Sequence, residues 1–289
     1  MNLSVLIVTH NSRDHVVRCL TSLSPVLERL ASEVVVVDNG SSDRTVQLVQ
    51  QAFPSVRVVA LGENRGFAAG INRGLAVTSG KYVMWLNPDA AYLGGRLEDV
   101  LEWMAAHPRV GIVGGRVVAP DGSVQRSART FPSYGAVLGA RHALLTKLWP
   151  GNRFSRDFLR SNASDAAIEP VDWISGAFVI HTREIAERLG GLDEGFFMYF
   201  EDVDFCYRAW RAGSRVYVHP GATVEHDVAG GSSRAPIARL VARHRSLWRW
   251  YAKHFRRFWI KDALVWTGIW IRCGALIGAA VIFRRPSNA

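Results

Sequence analysis

Cysteine is scarce in this sequence, and the three that occur lie far apart. Cys19, Cys206 and Cys273 form no CxxC pair, which argues against a disulfide framework or a zinc knot and is typical of a reducing compartment. No basic and apolar leader precedes the first strand-like run, Leu3 to Val8, so we expect no signal peptide and a protein that faces the cytoplasm. A length of 289 residues with 48% apolar side chains excludes a disordered protein.

A glycine-rich phosphate loop is also missing. Thr9-His10-Asn11-Ser12 follows the first predicted strand, at the place where a dinucleotide-binding fold carries GxGxxG. The usual dinucleotide fold is therefore excluded, and we expect another nucleotide to be bound.

Acidic residues are absent between Val228 and Lys261, and this gap concentrates the net charge of +10 in one basic block. Aromatic residues from Trp248 to Trp259 alternate with the basic ones. Such a block could suit nucleic acid, where aromatic rings stack on bases, or an anionic membrane surface, where they anchor among headgroups. The nine basic residues are Arg234, Arg239, Arg243, Arg245, Arg249, Lys253, Arg256, Arg257 and Lys261.

Strand-like and helix-like segments alternate over the first two thirds of the chain. This alternation predicts parallel βαβ units and an α/β fold with a doubly wound, mainly parallel sheet. The predicted strands are 3–9, 33–38, 56–61 and 82–86, and the predicted helices are 14–23, 42–53, 67–77 and 97–106.

The pattern changes after Val110. Residues 111–118 and 124–126 flank an Asp-Gly turn and predict a hairpin that adds an antiparallel element to the sheet. Residues 130–169 are polar and rich in loop-forming residues, so we interpret them as a mobile insertion on the acceptor side. A strand at 173–180, a helix at 183–189 and a short last strand at 223–227 follow.

Polar clusters follow predicted strands one, two and four. Asp38 ends the second strand, and Asn87-Pro88-Asp89 ends the fourth. Carboxyl ends of parallel strands meet at one sheet edge, where open α/β sheets bind ligands. Asp38 is placed to bind a base or ribose, and Asp89 a Mg²⁺ or Mn²⁺ ion that holds a diphosphate. The simpler alternative for Asp89 is a turn residue.

Three carboxylates occur within four residues after the aromatic run Phe196 to Phe200. Helix-dipole and i,i+4 pairing with Arg208 explain Asp204. They do not explain Glu201 and Asp202, whose apolar surroundings are expected to raise the carboxylate pKa toward a value useful for a general base.

Jointly, the motifs resemble those of the inverting family 2 glycosyltransferases with the GT-A fold. The resemblance covers about residues 1 to 230, and within the family it is greatest to bacterial rhamnosyltransferase-like members that act on lipid-linked saccharides. It rests on the segments Val8–Ser12, Val37–Asp43, Asn64–Phe67, Asn87–Asp89, Glu201–Asp202 and a later histidine, His226.

The resemblance implies roles for ten residues. Asp202 matches the catalytic base, with Glu201 beside it. Asp89 matches the last acid of the family's Asp-x-Asp metal motif, and His226 a histidine that completes the Mg²⁺ or Mn²⁺ site in many members. Asn87 replaces the first acid of that motif, which removes one charge and leaves Asn87 to contact the sugar or ribose. The residues implied in binding a nucleoside-diphosphate-sugar donor are Thr9, Asn11, Asp38, Asn64, Gly66 and Asn87.

The implied reaction is a single in-line displacement by a hydroxyl of a lipid-linked or polysaccharide acceptor, with a polyprenyl-diphosphate-linked glycan as the expected substrate. It belongs to cell-envelope glycan synthesis.

Two other classes of protein stay open. A nucleotidyltransferase of related fold would also use a metal and a sheet-edge carboxylate, but it usually begins with a Gly- and Arg/Lys-rich phosphate loop. A nucleic-acid-binding protein would explain the basic block but not the strand-end clusters, so we expect no nucleic-acid partner.

We expect two parts, a catalytic domain at 1–230 and a basic, aromatic, amphipathic helical extension at 231–289. Residues 263–283 are mostly apolar and about as long as a spanning helix, but Arg272 lies at their centre. On a helical wheel, Arg257, Lys261, Gly268 and Arg272 share one side. This pattern favours a helix in the headgroup plane at the cytoplasmic face of the inner or plasma membrane, held peripherally. The alternative is a helix packed on the catalytic domain or in a dimer interface; the sequence leaves the oligomeric state open.

Overall fold

The computed structural model describes residues 2–125, 127–132, 167–227 and 236–282. Eleven strands lie in these ranges: β1 (Leu3–Thr9), β2 (Ser32–Asp38), β3 (Arg57–Ala60), β4 (Tyr82–Leu86), β5 (Ala90–Gly95), β6 (Val110–Val118), β7 (Ala128–Arg129), β8 (Glu169–Pro170), β9 (Trp173–Ile174), β10 (Phe178–Thr182) and β11 (Arg215–His226). The helices in these ranges are α1 (Arg13–Ser22), α2 (Ser24–Arg29), α3 (Thr45–Ala52), α4 (Phe67–Leu75), α5 (Leu97–Ala106), α6 (Arg183–Leu189), α7 (Glu201–Arg211), α8 (Pro236–His254) and α9 (Trp259–Ile282).

One large sheet has the order β3-β2-β1-β4-β10-β6-β11-β5, and β8 pairs with β11. The first four strands are parallel, and β10 then runs antiparallel between β4 and β6. The predicted doubly wound, mainly parallel sheet with an added antiparallel element is confirmed.

The central strands are buried on both faces, and alternate residues of β1 serve two different cores. Leu3, Val5 and Ile7 pack with α1, α3 and α5, whereas Leu6 and Val8 pack with α4, α6 and α7. This division follows from the two-residue repeat of a strand. Because burying one large apolar side chain contributes about 1.5–3 kcal/mol, the two cores rigidly fix the strand ends that carry the polar clusters.

Three predicted elements need correction. The hairpin predicted at 111–126 forms only close to its turn: Val118 bridges Val124, and the amides of Ala119 and Gln125 donate to the carbonyls of Ser123 and Val117. The antiparallel strand inside the sheet is β10. No strand was predicted between the fourth strand and the helix at 97–106, but β5 begins directly after Asp89 and pairs with β11 at the far edge of the sheet. The last strand, predicted at 223–227, begins at Arg215 and contains a register shift between Val218 and Thr223. The predicted insertion lies outside the described residues apart from its two ends.

The C-terminal region forms two helices with different environments. Helix α8 packs against α7 through Trp250, which is buried with Phe196 and Val203. Asp204 of α7 accepts a hydrogen bond from Nε2 of His254 at 2.7 Å and pairs with Nζ of Lys253 at 2.8 Å. Helix α8, which precedes the apolar segment 263–283, is therefore packed on the catalytic domain.

Helix α9 returns along α8 and exposes its other side. Tyr251 donates a hydrogen bond to Asp262 at 2.7 Å, which ties the two helices near their connection. Trp259, Leu264 and Ile271 are 73%, 70% and 68% exposed, and Trp259–Val281 is long and apolar enough to cross a membrane. Arg272 does not share an exposed polar stripe with Lys261, as the helical wheel suggested: Arg272 is half-buried and Lys261 exposed.

Candidate active site

Three loops meet at the edge where β1, β2 and β4 end. The amide of Asn39 donates to the carbonyl of Thr9 at 2.8 Å, which joins the first two loops. The amide of Asn87 donates to the carbonyl of Ala177 at 3.0 Å, which joins the third loop to the segment before β10. This convergence follows from the parallel arrangement of the three strands.

Asp38 is the acceptor at the centre of the first two loops. It is 3% exposed, and its Oδ1 accepts a hydrogen bond from the hydroxyl of Thr9 at 3.0 Å. Ser41 donates to it from both its amide and its hydroxyl. Thr9 is fully buried, so it orients Asp38, and its own hydroxyl is directed to Asp38 and away from the cleft.

Asn11 and Asn64 hold the loops that border Asp38. Asn11 has a left-handed backbone with φ of 51°, and its Oδ1 accepts a hydrogen bond from the amide of Ser42 at 2.9 Å. Oδ1 of Asn64 accepts from the amide of Gly66 at 3.0 Å. Both side chains thus shape the loop backbone, and both lie at the surface of the cleft.

The turn at Gly66 contacts the segment that precedes α7. Gly66 has a φ of 90°, and a Cβ there would overlap the carbonyl oxygen of Phe197. That carbonyl accepts a hydrogen bond from the amide of Phe67 at 3.0 Å. Gly66 is therefore required for the close approach of the predicted donor loop to the loop that carries Glu201 and Asp202.

Asp89 and His226 come together from opposite ends of the sequence. Pairing of β5 with β11 sets His226 opposite Ala90, and Oδ1 of Asp89 lies 3.3 Å from Nε2 of His226. That oxygen is buried and makes no hydrogen bond within the described chain. A buried carboxylate oxygen without a donor, beside an imidazole nitrogen, fits a divalent cation.

Asn87 completes this corner. Its Nδ2 lies 3.4 Å from Nε2 of His226, and Oε1 of Gln125 lies 3.3 Å from the other ring nitrogen, Nδ1. When Nδ1–H donates a hydrogen bond to Gln125 Oε1, Nε2 keeps its lone pair for an ion. No cluster of three or more His, Cys, Asp or Glu side chains suited to a metal occurs among the described residues, so substrate oxygens and water would supply the remaining ligands.

Asp202 opens α7 and faces the Gly176 loop. Its Oδ2 accepts a hydrogen bond from the amide of Gly176 at 2.9 Å, and its Oδ1 accepts from the amide of Val203 at 2.8 Å. Burial raises the pKa of Asp202, and these two amides act in the opposite direction. The same loop binds Asn87 through Ala177, so Asp202 is linked to the Asp89 corner through adjacent backbone groups.

Glu201 has no comparable stabilisation of its charge. It is 7% exposed, and its Oε2 is buried without a hydrogen bond from any described residue. Burial, and then the charge of Asp202, raise the pKa of Glu201 well above its usual range. Because two backbone amides stabilise ionised Asp202 and none is directed at Oε2 of Glu201 within the described residues, a proton is held more tightly by Glu201 than by Asp202.

Two consecutive residues in left-handed conformations lead into α7. Tyr199 and Phe200 have φ values of 67° and 69°, and such backbones cost about 1–3 kcal/mol each for non-glycine residues. The ring of Phe200 lies 6.1 Å from that of Trp250, and Ser246 donates to the carbonyl of Met198 at 2.8 Å. Helix α8 therefore holds the strained entry to the helix of Asp202.

Sequence reasoning missed three supporting residues. Asn39 donates to the carbonyl of Gly66 at 2.8 Å and accepts from the amide of Arg65 at 3.1 Å. Its position directly after Asp38, in the polar loop that follows the second strand, could have indicated this role. Gly176 and Gln125 carried no signal, because their roles depend on pairing across the sheet.

Comparison with known proteins gives a consistent result. The family model described as "Glycosyl transferase family 2" matches residues 4–167. A Mycobacterium tuberculosis protein, N-acetylglucosaminyl-diphospho-decaprenol L-rhamnosyltransferase, is 35% identical over 277 residues, which are 92% of this chain and 88% of that protein. Rhamnosyltransferase WbbL of Escherichia coli is 23% identical and is covered over 92% of its length.

Solved structures agree on the fold. The mannosyltransferase PcManGT from Pyrobaculum calidifontis, solved with GDP-Man and Mn²⁺, has a TM-score of 0.58 and 20% identity, over 98% of this chain and 76% of that one. Residues 1–349 of TarS from S. aureus give a TM-score of 0.55 and 17% identity, over 99% of this chain and 74% of that one. The GT-A fold expected from the sequence is confirmed.

Proposed function

Because this chain belongs to glycosyl transferase family 2, we propose that it transfers a hexose such as rhamnose, with inversion, from a nucleoside-diphosphate sugar to a lipid-linked or polysaccharide acceptor. It is a glycosyltransferase of cell-envelope glycan synthesis. The observation that carries the more specific assignment is the pairing of a buried, amide-bonded carboxylate, Asp202, with a separate carboxylate and imidazole corner, Asp89 and His226. Inverting transfer needs these two functions and no covalent intermediate.

Asp202 would act as the general base. In-line displacement requires removal of a proton from the acceptor hydroxyl as the hydroxyl attacks the anomeric carbon. The raised pKa of Asp202 makes its carboxylate a better proton acceptor, while the amides of Gly176 and Val203 keep it ionised and fix its orientation. Protonated Glu201 would keep a second negative charge away from the base.

Asp89 and His226 would hold Mg²⁺ or Mn²⁺, since their buried, unpartnered oxygen and imidazole nitrogen suit such an ion. The ion would stabilise charge on the departing diphosphate. Asn87 adds no charge, so the protein ligands would carry one carboxylate only, and affinity would depend on the donor's phosphate oxygens. Metal dependence is thus expected to appear with the donor bound.

The donor nucleoside would lie over the β1 and β2 loops. Asp38 is the acceptor for the base or ribose, Thr9 orients it, and Asn11, Asn64 and Gly66 form the walls. Asn87 lies between this site and the metal corner and would contact the sugar or ribose.

We propose that the acceptor is a polyprenyl-diphosphate-linked glycan and that the enzyme binds peripherally at the cytoplasmic face of the inner or plasma membrane. The outward side of α9 supports this assignment, because large apolar side chains such as Leu264 and Ile271 are exposed there. The mycobacterial relative is named for an acceptor of this chemistry. Residues 1–230 would then provide catalysis, and 231–289 would provide membrane contact, with α8 docked on the catalytic part.

The test is a matrix of donors and acceptors with purified full-length protein. Nucleoside-diphosphate release is measured for several nucleotide sugars, rhamnose donors included, with and without a short-chain prenyl-diphosphate-linked N-acetylglucosamine. Acceptor-dependent release, with a glycosylated product of inverted configuration by NMR, supports the proposal. Release that no acceptor stimulates, across all donors, would contradict it.

A further inference from the structure

We infer that Arg243 and Arg272, beside His244, form a binding site for the diphosphate group of the acceptor, with Arg239 one turn before Arg243 on α8. This inference rests on the proposed function and assigns the acceptor's charged group to residues on α8 and α9. It is carried by the position of the cluster, by its uncompensated charge and by an unpartnered buried imidazole.

The cluster lies ahead of the start of α7. Residues later in the segment that leads into α7 contact residues later in α8. The contact pairs are Met198 with Ser246, Phe200 with Trp250, and Asp204 with Lys253 and His254. The two helices therefore run in the same direction. Arg243 and Arg239 precede Ser246 by three and seven residues, or about 4.5 and 10 Å along the helix at 1.5 Å per residue. They thus extend past the end of α7 that carries Asp202.

Arg243 also lies between the two packed sides of α8. With 3.6 residues per turn, Arg239 is about 20° and Arg243 about 60° from Ser246, whose side faces the catalytic domain. His244 and Tyr251 lie about 20° apart on the side that meets α9. Arg243 is therefore placed at the groove between the catalytic domain and α9.

Positive charge in this groove lacks a counterion within the described ranges. Arg243 and Arg272 make no ion pair with any described residue, and Nε of Arg239 is buried without an acceptor there. His244 is 3% exposed, its Nδ1 lies 2.7 Å from the carbonyl of Leu240, and its Nε2 has no partner in the described part of the chain. Because α9 returns along α8 from the Tyr251–Asp262 contact, Arg272, ten residues beyond Asp262, lies near the turn of α8 that carries Arg243 and His244, seven to eight residues before Tyr251. Burial lowers the pKa of His244, and the charges of Arg272 and Arg243 act in the same direction.

A diphosphate matches this arrangement. Guanidinium groups bind phosphate oxygens in pairs, and a half-buried cation without a partner, such as Arg272, is unfavourable until an anion neutralises it. Ile271, next to Arg272, belongs to the exposed apolar side of α9, so a lipid tail could continue along α9 while its phosphates meet the arginines. The sugar on the diphosphate would then extend toward Asp202.

The experiment compares wild type, Arg243→Gln/Arg272→Gln and Arg245→Gln. Arg245 is exposed on α8, about 160° around the helix from Arg243, and its substitution controls for lost charge. Acceptors carry one sugar on a short prenyl diphosphate or on a neutral alkyl chain. We expect the double variant to raise KM for the diphosphate acceptor at least tenfold, with donor KM within twofold and the neutral acceptor used as by wild type. Arg245→Gln should stay within twofold throughout.

Three outcomes overturn the inference. In the first, the double variant and Arg245→Gln have the same KM for the diphosphate acceptor; in the second, the double variant loses as much activity with the neutral acceptor as with the diphosphate acceptor. In the third, the double variant no longer floats with phosphatidylglycerol vesicles but keeps the wild-type KM for the soluble diphosphate acceptor. The last outcome would assign the arginines to general headgroup binding. If thermal unfolding shows that the double variant is unfolded, Arg243→Gln alone carries the same test, because Arg243 is exposed. Wild type that transfers to the neutral acceptor without preferring the diphosphate refutes only this inference, whereas wild type that transfers to neither refutes the proposed function.

Discussion

Replacement of Asp202 by Asn tests the assignment of the base most directly. A positioned general base contributes about 10²- to 10⁴-fold in rate, which is about 2.7–5.5 kcal/mol at 1.36 kcal/mol per tenfold. The amide has nearly the same shape but cannot accept the acceptor's proton. We expect kcat to fall by at least a hundredfold while the donor Kd changes less than threefold, because Asp202 lies on α7 beside the Gly176 loop, outside the predicted nucleoside site.

The substitution also has a structural cost that must be measured separately. Asp202 accepts two backbone hydrogen bonds, from Gly176 and Val203, and an Asn side chain offers one oxygen for the two donors. A buried donor left without an acceptor costs about 1–3 kcal/mol, partly offset because a buried charge is removed. Urea unfolding should therefore show a loss within that range and a folded protein, so that a lost rate cannot be assigned to unfolding.

Glu201→Gln supplies the comparison. The pKa of Glu201 is raised well above its usual range, so an amide is close in charge to the form that burial favours, and we expect a loss of less than tenfold. In wild type, kcat/KM should fall as the pH decreases through the raised pKa of Asp202, above the ordinary aspartate value of about 3.9, and this acid limb should be absent from the residual activity of Asp202→Asn. Activity of Asp202→Asn within tenfold of wild type, or a larger loss in Glu201→Gln, would refute the reasoning and assign the role to Glu201.

Three further predictions concern the metal, the membrane and the docking of α8. Asp89→Ala and His226→Ala should each raise the Mg²⁺ or Mn²⁺ concentration that gives half-maximal turnover by about tenfold or more, since even the loss of an outer-shell partner typically costs about 10- to 100-fold in metal affinity, and EDTA should stop the wild type. Leu264→Ser with Ile271→Ser should reduce flotation with anionic liposomes, because both side chains are exposed on α9. Trp250→Ala should lower the free energy of unfolding by about 3–5 kcal/mol, as expected for a buried tryptophan, measured in urea.

Matched controls decide these cases. Asp121→Ala removes an exposed turn carboxylate and should leave the metal titration unchanged; full activity of EDTA-treated wild type would exclude metal dependence. Leu93→Ser removes a 53% exposed leucine from β5, and this variant should float as wild type does. If Leu93→Ser reduced flotation as much as Leu264→Ser with Ile271→Ser, α9 would not be the membrane-binding surface. A loss below 1 kcal/mol for Trp250→Ala would show that α8 is not part of the folded core.

The sequence predicted the position of the strand-end polar clusters better than it predicted the outer half of the sheet. Asp38 and Asn87 were predictable because each follows a short apolar run that can only be a buried strand. The pairing of β5 with β11 was not, since Ala90 to Gly95 is short and glycine-ended and its partner lies more than a hundred residues later. Asp89 and His226 could be grouped from the family resemblance alone, because that pairing is long-range.

Local chemistry also left the two acids of α7 unresolved. Adjacent carboxylates after an aromatic run predict raised pKa values for both, and only tertiary contacts distinguish them. The amide of Gly176, which arrives from the segment before β10, stabilises the charge on Asp202, and no described donor reaches Oε2 of Glu201. The helical wheel of the extension failed for a related reason, because it treated α9 as solitary while α8 covers one of its sides.

The left-handed pair at Tyr199 and Phe200 has a consequence for the design of chimeric enzymes. Its backbone geometry depends on Trp250, which belongs to a part of the sequence that domain boundaries would assign to the extension. A graft of a foreign C-terminal region at residue 231 would therefore change the neighbours of the catalytic helix even if every residue of the first 230 were kept. The smallest exchangeable unit is α8 together with the segment from Asp193 to Phe200, and acceptor ranges should be transferable between relatives only when both parts move together.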